Sequence, residues 1–139
     1  MKKIVIDTNV FVSSFFNPKG IPRKIVDLWK NGEVILCVSE EIIGEYVRVL
    51  NRFDFIGNNN IKELLRLFNR RQYLIIVRPL DNIYAVINDH SDNKFIECAL
   101  SAKAAYIVSG DKHLKDLRSY EAIRILSPSE FYNLIITEE

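Results

Sequence analysis

The feature that most constrains the fold of this chain is a short apolar run that ends in a carboxylate. Residues 4–6 are Ile-Val-Ile, and Asp7 follows them directly. A run rich in β-branched residues is typical of a strand buried on both faces of a parallel sheet. A similar arrangement returns at 105–109, which is followed by Gly110 and Asp111. Because open α/β sheets bind ligands at the carboxyl ends of their strands, we expect these two strands to bring one carboxylate each to the same edge.

The remaining sequence alternates between strand-like and helix-like segments. Strands are expected at 3–6, 33–37, 74–77, 105–109 and 123–126. Helices are expected to begin at Pro22, after the N-cap Ser39, after 58–60, at Asp92, after Asp111 and at the capping box that starts at Ser127. Residues 83–87 fit either a short helix or a short strand. This alternation predicts an α/β fold with a central, largely parallel sheet flanked by helices on both faces. The length of 139 residues predicts a single domain over 1–139.

Composition limits the function classes. The 139 residues, 48% of them hydrophobic, suffice for one core. The formal net charge is +1, so nucleic-acid binding would have to come from a local patch. Asp7 and Asn9 interrupt the apolar start before a signal peptide could form, and no run approaches the ~18 apolar residues of a membrane span, which predicts a cytoplasmic protein. Cys37 and Cys98 lack metal-binding spacing and are expected to be buried free thiols.

Two further acids could join the strand-end carboxylates, and each of the four also has a purely structural interpretation. Glu45 falls on the border of the apolar stripe of its helix, so it could aim inward or pair at the surface with Arg48 or Arg52. Asp92 could simply cap the helix that follows it, and the same holds for the two strand-end acids. Taken together, the acids favour a functional site.

The ordered set of segments resembles the PIN-domain ribonucleases, particularly those that act as toxins of type II toxin-antitoxin pairs. The resemblance rests on 4–9, on 39–42 leading to Glu45, on 92–99 continuing to 109–112, and on 127–131. It implies a PIN-like nuclease domain whose catalytic and metal-binding acids are Asp7, Glu45, Asp92 and Asp111, with Asn9 and Ser109 as supporting polar residues. Relatives often carry a further acid at the position of Ser91. Glu97 is a candidate fifth acid, although a helical residue five beyond Asp92 more often faces solvent.

Four carboxylates in one place need a counter-cation, because ionised acids repel one another and would otherwise hold protons. Oxygen-only ligands favour Mg²⁺ or Mn²⁺, and His90 and His113 lack the matched partners that zinc would need. A cation at the strand ends would bind a phosphodiester oxygen, lower the pKa of a bound water and stabilise the departing oxygen without a protein nucleophile. The resemblance implies an RNA substrate cut to leave a 5′-phosphate and a 3′-hydroxyl. Basic residues that could contact the RNA backbone are Arg23, Lys24, Lys94, Lys112, Lys115 and Arg118.

The resemblance also implies protein partners. It predicts a cognate antitoxin that holds the nuclease inactive, and a homodimer. Apolar side chains of the helices at 22–30 and 40–52 would contribute to the subunit contact. Trp29 and Tyr46 are residue types enriched at interfaces, but both could equally belong to the core.

Two other function classes remain open. The chain could be a non-catalytic α/β module that binds a metal or a partner. A receiver-like signalling domain would also place Asp at strand ends around Mg²⁺, but it needs an acidic pair after the first strand and an acceptor Asp after a middle strand. The residues found there are Thr8 and Asn9, and Arg78 and Pro79, which argues against the receiver.

Overall fold

The computed structural model describes residues 1–53, 59–79 and 92–138, and its centre is a six-stranded sheet. The strands are β1 (Lys2–Ile6), β2 (Val34–Ser39), β3 (Leu74–Val77), β4 (Tyr106–Val108), β5 (Ser119–Tyr120) and β6 (Ile123–Leu126). Their order in the sheet is β3-β2-β1-β4-β6-β5. All neighbours pair in parallel except β5, which runs antiparallel to β6. The predicted α/β class and the largely parallel sheet are confirmed.

The described residues form helices α1 (Thr8–Phe16), α2 (Ile21–Lys30), α3 (Glu40–Asn51), α4 (Asn60–Arg70), α5 (Asn93–Ala102), α6 (Lys112–Leu117) and α7 (Pro128–Thr137). Side chains 4–6 of β1 are all fully buried. Successive side chains of a strand point to opposite faces, so both faces of the central strand are covered. None of these helices has the length and apolar character needed to cross a membrane.

The strand order places a topological switch point between β1 and β4. From β1 the chain moves outward to β2 and β3, and it then returns to β4 on the other side of β1 and continues to β6. The connections before and after this reversal leave a crevice at the carboxyl ends of β1 and β4, where ligands of open α/β sheets bind. Asp7 and Asp111 follow these two strand ends.

An aromatic core joins the helices next to this crevice. Phe11 and Tyr46 stack with ring centroids 4.1 Å apart, and Phe68 stacks on Phe11 at 6.0 Å. The hydroxyl of Tyr46 donates a hydrogen bond to the backbone carbonyl of Ile6, and Trp29 Nε1 donates to the carbonyl of Gln72 at 3.1 Å. Trp29 and Tyr46 are therefore core residues of one chain and are not available to a subunit interface. Tyr46 also fixes α3 against the end of β1.

Several elements differ in detail from the sequence expectations. The sequence did not predict α1, because residues 8–16 are mostly apolar and their helical period is weak, nor did it predict the two-residue strand β5. On α4 the buried residues are Leu64, Leu67 and Phe68, whereas Leu65 is 48% exposed. Cys37 and Cys98 are buried free thiols, as predicted. The segment 83–87 lies outside the described residues, as do His90 and Ser91.

Candidate active site

Asp7 lies where β1 ends and α1 begins, and both of its carboxylate oxygens are engaged. Oδ1 accepts a hydrogen bond from the backbone N–H of Val10 at 2.9 Å, so Asp7 caps α1. Oδ2 accepts from the hydroxyl of Ser109. Asp7 is 4% exposed, and burial raises its pKa; the two hydrogen bonds oppose this shift and the charge of Asp111 adds to it. The chain therefore holds an acid here at a cost in free energy.

Ser109 connects the two strand-end acids. Its hydroxyl donates to Asp7 and accepts from the backbone N–H of Asp111 at 2.9 Å. Asp111 in turn caps α6, since its Oδ1 accepts from the backbone N–H groups of His113 at 2.8 Å and Leu114 at 3.4 Å. The capping interpretation of both acids is correct, and it is compatible with a place in a site because an ionised carboxylate offers about four acceptor positions.

The carboxylate of Glu45 contacts two groups that the sequence did not indicate as its partners. Its Oε2 accepts a hydrogen bond from the hydroxyl of Thr8 at 2.9 Å and pairs with Lys94 Nζ at 3.0 Å. The Lys94 side chain is only 7% exposed, and its ammonium lies 5.1 Å from the ring centroid of Phe95. Lys94 is thus a buried counter-ion, and the expectation that it contacts an RNA backbone is wrong for this structure.

Asp92 occupies the N-cap position of α5, yet its side chain makes no capping hydrogen bond. It is 8% exposed, a low value for a carboxylate. The purely structural interpretation of Asp92 as a side-chain cap is therefore not realised.

All four acids line one cleft of about 220 Å³, which we call the carboxylate cleft. Its other lining residues are Thr8, Asn9, Arg48, Val49, Arg52 and Phe95. Asn9 is exposed there, whereas Ser109 is fully buried beneath Asp7 and Asp111. The sequence predicts Arg48 and Arg52 only as surface partners of Glu45. Their spacing from Glu45, three and seven residues along one helix, nevertheless indicates a shared face.

Carboxylate oxygens, which are the ligands that hard divalent cations prefer, line the cleft, but among the described residues they are not grouped into a closed metal site. Within the described part of the chain, no three His, Cys, Asp or Glu side chains are grouped so that they could hold a metal ion together. Mg²⁺ usually keeps several waters and is bound through one or two carboxylates, so a hydrated ion needs fewer direct ligands than such a group. The carboxylate oxygens among the lining residues agree with that mode of binding.

The remaining candidates lie outside this cleft or on its margin. Glu97 is half-buried and lines a neighbouring cleft of about 390 Å³ together with Lys94. His113 is exposed. Arg23 pairs with Asp27 at 3.3 Å, and Lys24 Nζ lies 5.5 Å from the ring centroid of Tyr132. Lys112, Lys115 and Arg118 are exposed.

The sheet, its switch point and the cleft of carboxylates define an α/β protein of the kind that binds its ligand at the strand ends. Residues 3–113 match the PIN domain family model, and the chain belongs to the PIN-domain family. PIN domains are generally metal-dependent nucleases. The chain is also 36% identical to an uncharacterized protein of Methanocaldococcus jannaschii, over 93% of this chain and 88% of that protein.

Proposed function

We propose that this protein is a metal-dependent endoribonuclease that hydrolyses RNA phosphodiester bonds in the carboxylate cleft. Asp7, Glu45, Asp92 and Asp111 would hold Mg²⁺ or Mn²⁺, and Asn9 and Ser109 would support them. The observation that carries this proposal is the convergence of four acids from distant parts of the sequence on one cleft at the switch point. Membership of a family of nucleases supports it further.

The chain's own residues prepare the cleft for this chemistry. Ser109 keeps Asp7 and Asp111 in a fixed relation, and Thr8 with Lys94 keeps Glu45 in place. A divalent cation bound there would supply Lewis acidity towards a phosphodiester oxygen and a water molecule. Arg48 and Arg52 bring positive charge to the same cleft and would pair with phosphates that flank the bond to be cut.

We further propose the biological setting that the family resemblance implies. In this setting the single domain 1–139 is a cytoplasmic homodimer and the toxin of a type II toxin-antitoxin pair, and it leaves a 5′-phosphate and a 3′-hydroxyl on its products. A small neighbouring reading frame with a DNA-binding segment would support the toxin role. Light scattering that shows only monomer at micromolar concentrations would contradict the dimer.

The test of the enzymatic proposal is cleavage of single-stranded RNA with Mg²⁺ or Mn²⁺, followed on a denaturing gel. A chelator should abolish cleavage, and Asp111→Asn should reduce it by roughly two orders of magnitude because it removes a charge from the cleft. Asp116→Asn removes the same charge from an exposed position on α6 and is the matched control. A protein that binds the metal but leaves RNA intact would be a non-catalytic binding module instead.

A further inference from the structure

A second groove continues from the carboxylate cleft between α1 and α3. It has a volume of about 580 Å³ and shares Asn9, Val49 and Arg52 with the cleft. Along α1 it is lined by residues 9, 12, 13 and 16, which is the i, i+3, i+4, i+7 pattern of a single helix face. We call it the aromatic groove, because Phe16 and Phe53 are among its lining residues.

Positive charge follows the path from the acids into the aromatic groove. Arg48 and Arg52 are exposed and lie three and seven residues after Glu45 on α3. At a rise of about 1.5 Å per residue, Glu45 and Arg52 are separated by roughly 10 Å along the helix axis. This distance corresponds to roughly three nucleotide steps at the spacing of a stacked strand. The two arginines therefore place positive charge along the path that a nucleic-acid backbone would follow from the acids into the groove.

The far end of the groove offers aromatic surface to solvent. Phe16 is 46% exposed and Phe53 is 47% exposed, although both are large apolar side chains. Their ring centroids lie 5.5 Å apart with an interplanar angle of 67°, so the pair is preformed in an edge-to-face arrangement. Exposed aromatic rings next to arginine are the elements with which proteins bind single-stranded nucleic acid, because every base can stack on a ring.

We propose that the aromatic groove is a subsite for single-stranded RNA. A base of the strand stacks on the Phe16–Phe53 pair, Arg52 binds a phosphate between this base and the cleft, and the scissile phosphate lies at the carboxylates. This subsite rests on the proposed nuclease function and adds to it the place where a base of the substrate strand is held. The shared lining residues and the arginines favour RNA over a protein partner, since the groove opens directly into the cleft.

Binding can be measured in the Asp111→Asn protein, in which cleavage is expected to be slow. The probe is a short single-stranded oligoadenylate that carries a fluorescein label and one 2-aminopurine, used with Mg²⁺. Fluorescence anisotropy gives its Kd, and quenching of 2-aminopurine reports stacking. Phe16→Leu and Phe53→Leu keep the apolar packing but remove the ring, so each should weaken binding ~10-fold and reduce the quenching. Leu65→Ala, at a residue of similar exposure on α4, is the matched control and should bind as the parent does.

Two further measurements separate the subsite from its alternatives. Arg52→Gln should weaken binding and reduce the slope of log Kd against log salt concentration by about one, which corresponds to the loss of one phosphate contact. The same probe annealed to its complement should bind more weakly, since its bases are stacked within a duplex. The subsite is wrong if both Phe→Leu proteins bind RNA like the parent, or if they change only the oligomeric state seen by light scattering. Failure of the subsite can be distinguished from failure of the proposed nuclease function, which RNA cleavage by the parent protein tests. If the parent cleaves RNA and both variants bind RNA with unchanged affinity, only the subsite proposal is wrong.

Discussion

The ammonium of Lys94 lies 3.0 Å from Oε2 of Glu45, and the hydroxyl of Thr8 donates to the same oxygen at 2.9 Å. In the described part of the chain, Oε1 of Glu45 accepts no hydrogen bond. Two donors on one oxygen restrict the rotamer of the carboxylate and leave the other oxygen for a ligand in the carboxylate cleft. Lys94 thereby supplies a built-in positive charge to a cleft lined by four acids.

Removing this charge should destabilise the metal-free protein. Lys94→Met keeps most of the buried stem but leaves Glu45, whose side chain is 22% exposed, without its counter-ion. We expect a loss of about 1–3 kcal/mol in the free energy of unfolding, measured by urea denaturation with a chelator present. Lys94→Arg, which retains the charge, should recover part of the loss. In a double-mutant cycle, Glu45→Gln should cost less in the Lys94→Met background than in the parent, and strict additivity would contradict the coupling.

Asp7 should make stability depend on pH in the metal-free protein. Burial raises its pKa in the folded state above the ordinary value for an aspartate, so the folded state holds this proton more tightly than the unfolded chain. The parent should therefore lose stability as pH rises from about 4 through the raised pKa. The Asp7→Asn protein lacks this loss. Across the same pH range, the urea midpoint of the variant should therefore rise relative to that of the parent. Asp116→Asn, at an exposed acid, controls for the removed charge.

Asp7→Asn also carries a cost that the sequence could not indicate. The amide group introduced by this substitution would present a donor to Ser109, whose oxygen already accepts from the N–H of Asp111. One hydrogen bond is then lost or weakened, at about 1 kcal/mol. The pH-dependent difference between the two proteins, rather than their stability at one pH, is thus the quantity that tests the burial of Asp7. A difference between the two urea midpoints that stays constant at all pH values would contradict the burial of Asp7.

Asp111 should show two separable roles. Asp111→Asn retains an oxygen that can accept from His113 and Leu114, whereas Asp111→Ala loses the cap of α6 at about 1 kcal/mol. Both variants should lose metal-dependent cleavage, but only the Ala variant should lose stability in urea. Ser127→Ala removes the capping box of α7, which lies outside the carboxylate cleft, and should lower stability without changing cleavage. Cleavage that followed stability across the three proteins would contradict a direct role of Asp111.

The two cysteines should be unreactive in the folded protein. Burial raises the pKa of Cys37 to about 11 and that of Cys98 to about 12, so both remain neutral thiols at pH 7. Ellman's reagent should label neither in native buffer and both in urea. Cys37→Ala and Cys98→Ala should cleave RNA like the parent, although each opens a small cavity in the core. Rapid labelling of the native protein would show that one of these thiols is accessible.

Much of the fold followed from local sequence because its signals are local. β-Branched runs and their turn residues predicted β1, β2, β3, β4 and β6, and the caps at Ser39 and Ser127 predicted where α3 and α7 begin. The helix α1 was not predicted, because a helix whose residues are buried on several sides has no clear hydrophobic period. The strand β5 was not predicted, because two residues are too few to form a pattern.

The sequence by itself determined which residue types stand at the strand ends, and resemblance to a known family named the four acids. Only the tertiary structure decided that a lysine on α5 neutralises Glu45, that Ser109 joins Asp7 to Asp111, and that Trp29 and Tyr46 belong to the core. These contacts join residues far apart in the chain, and which partner wins depends on burial and on the packing of whole helices. A hydrogen bond or an ion pair acts over a few ångströms in space, and sequence distance does not specify which groups come that close.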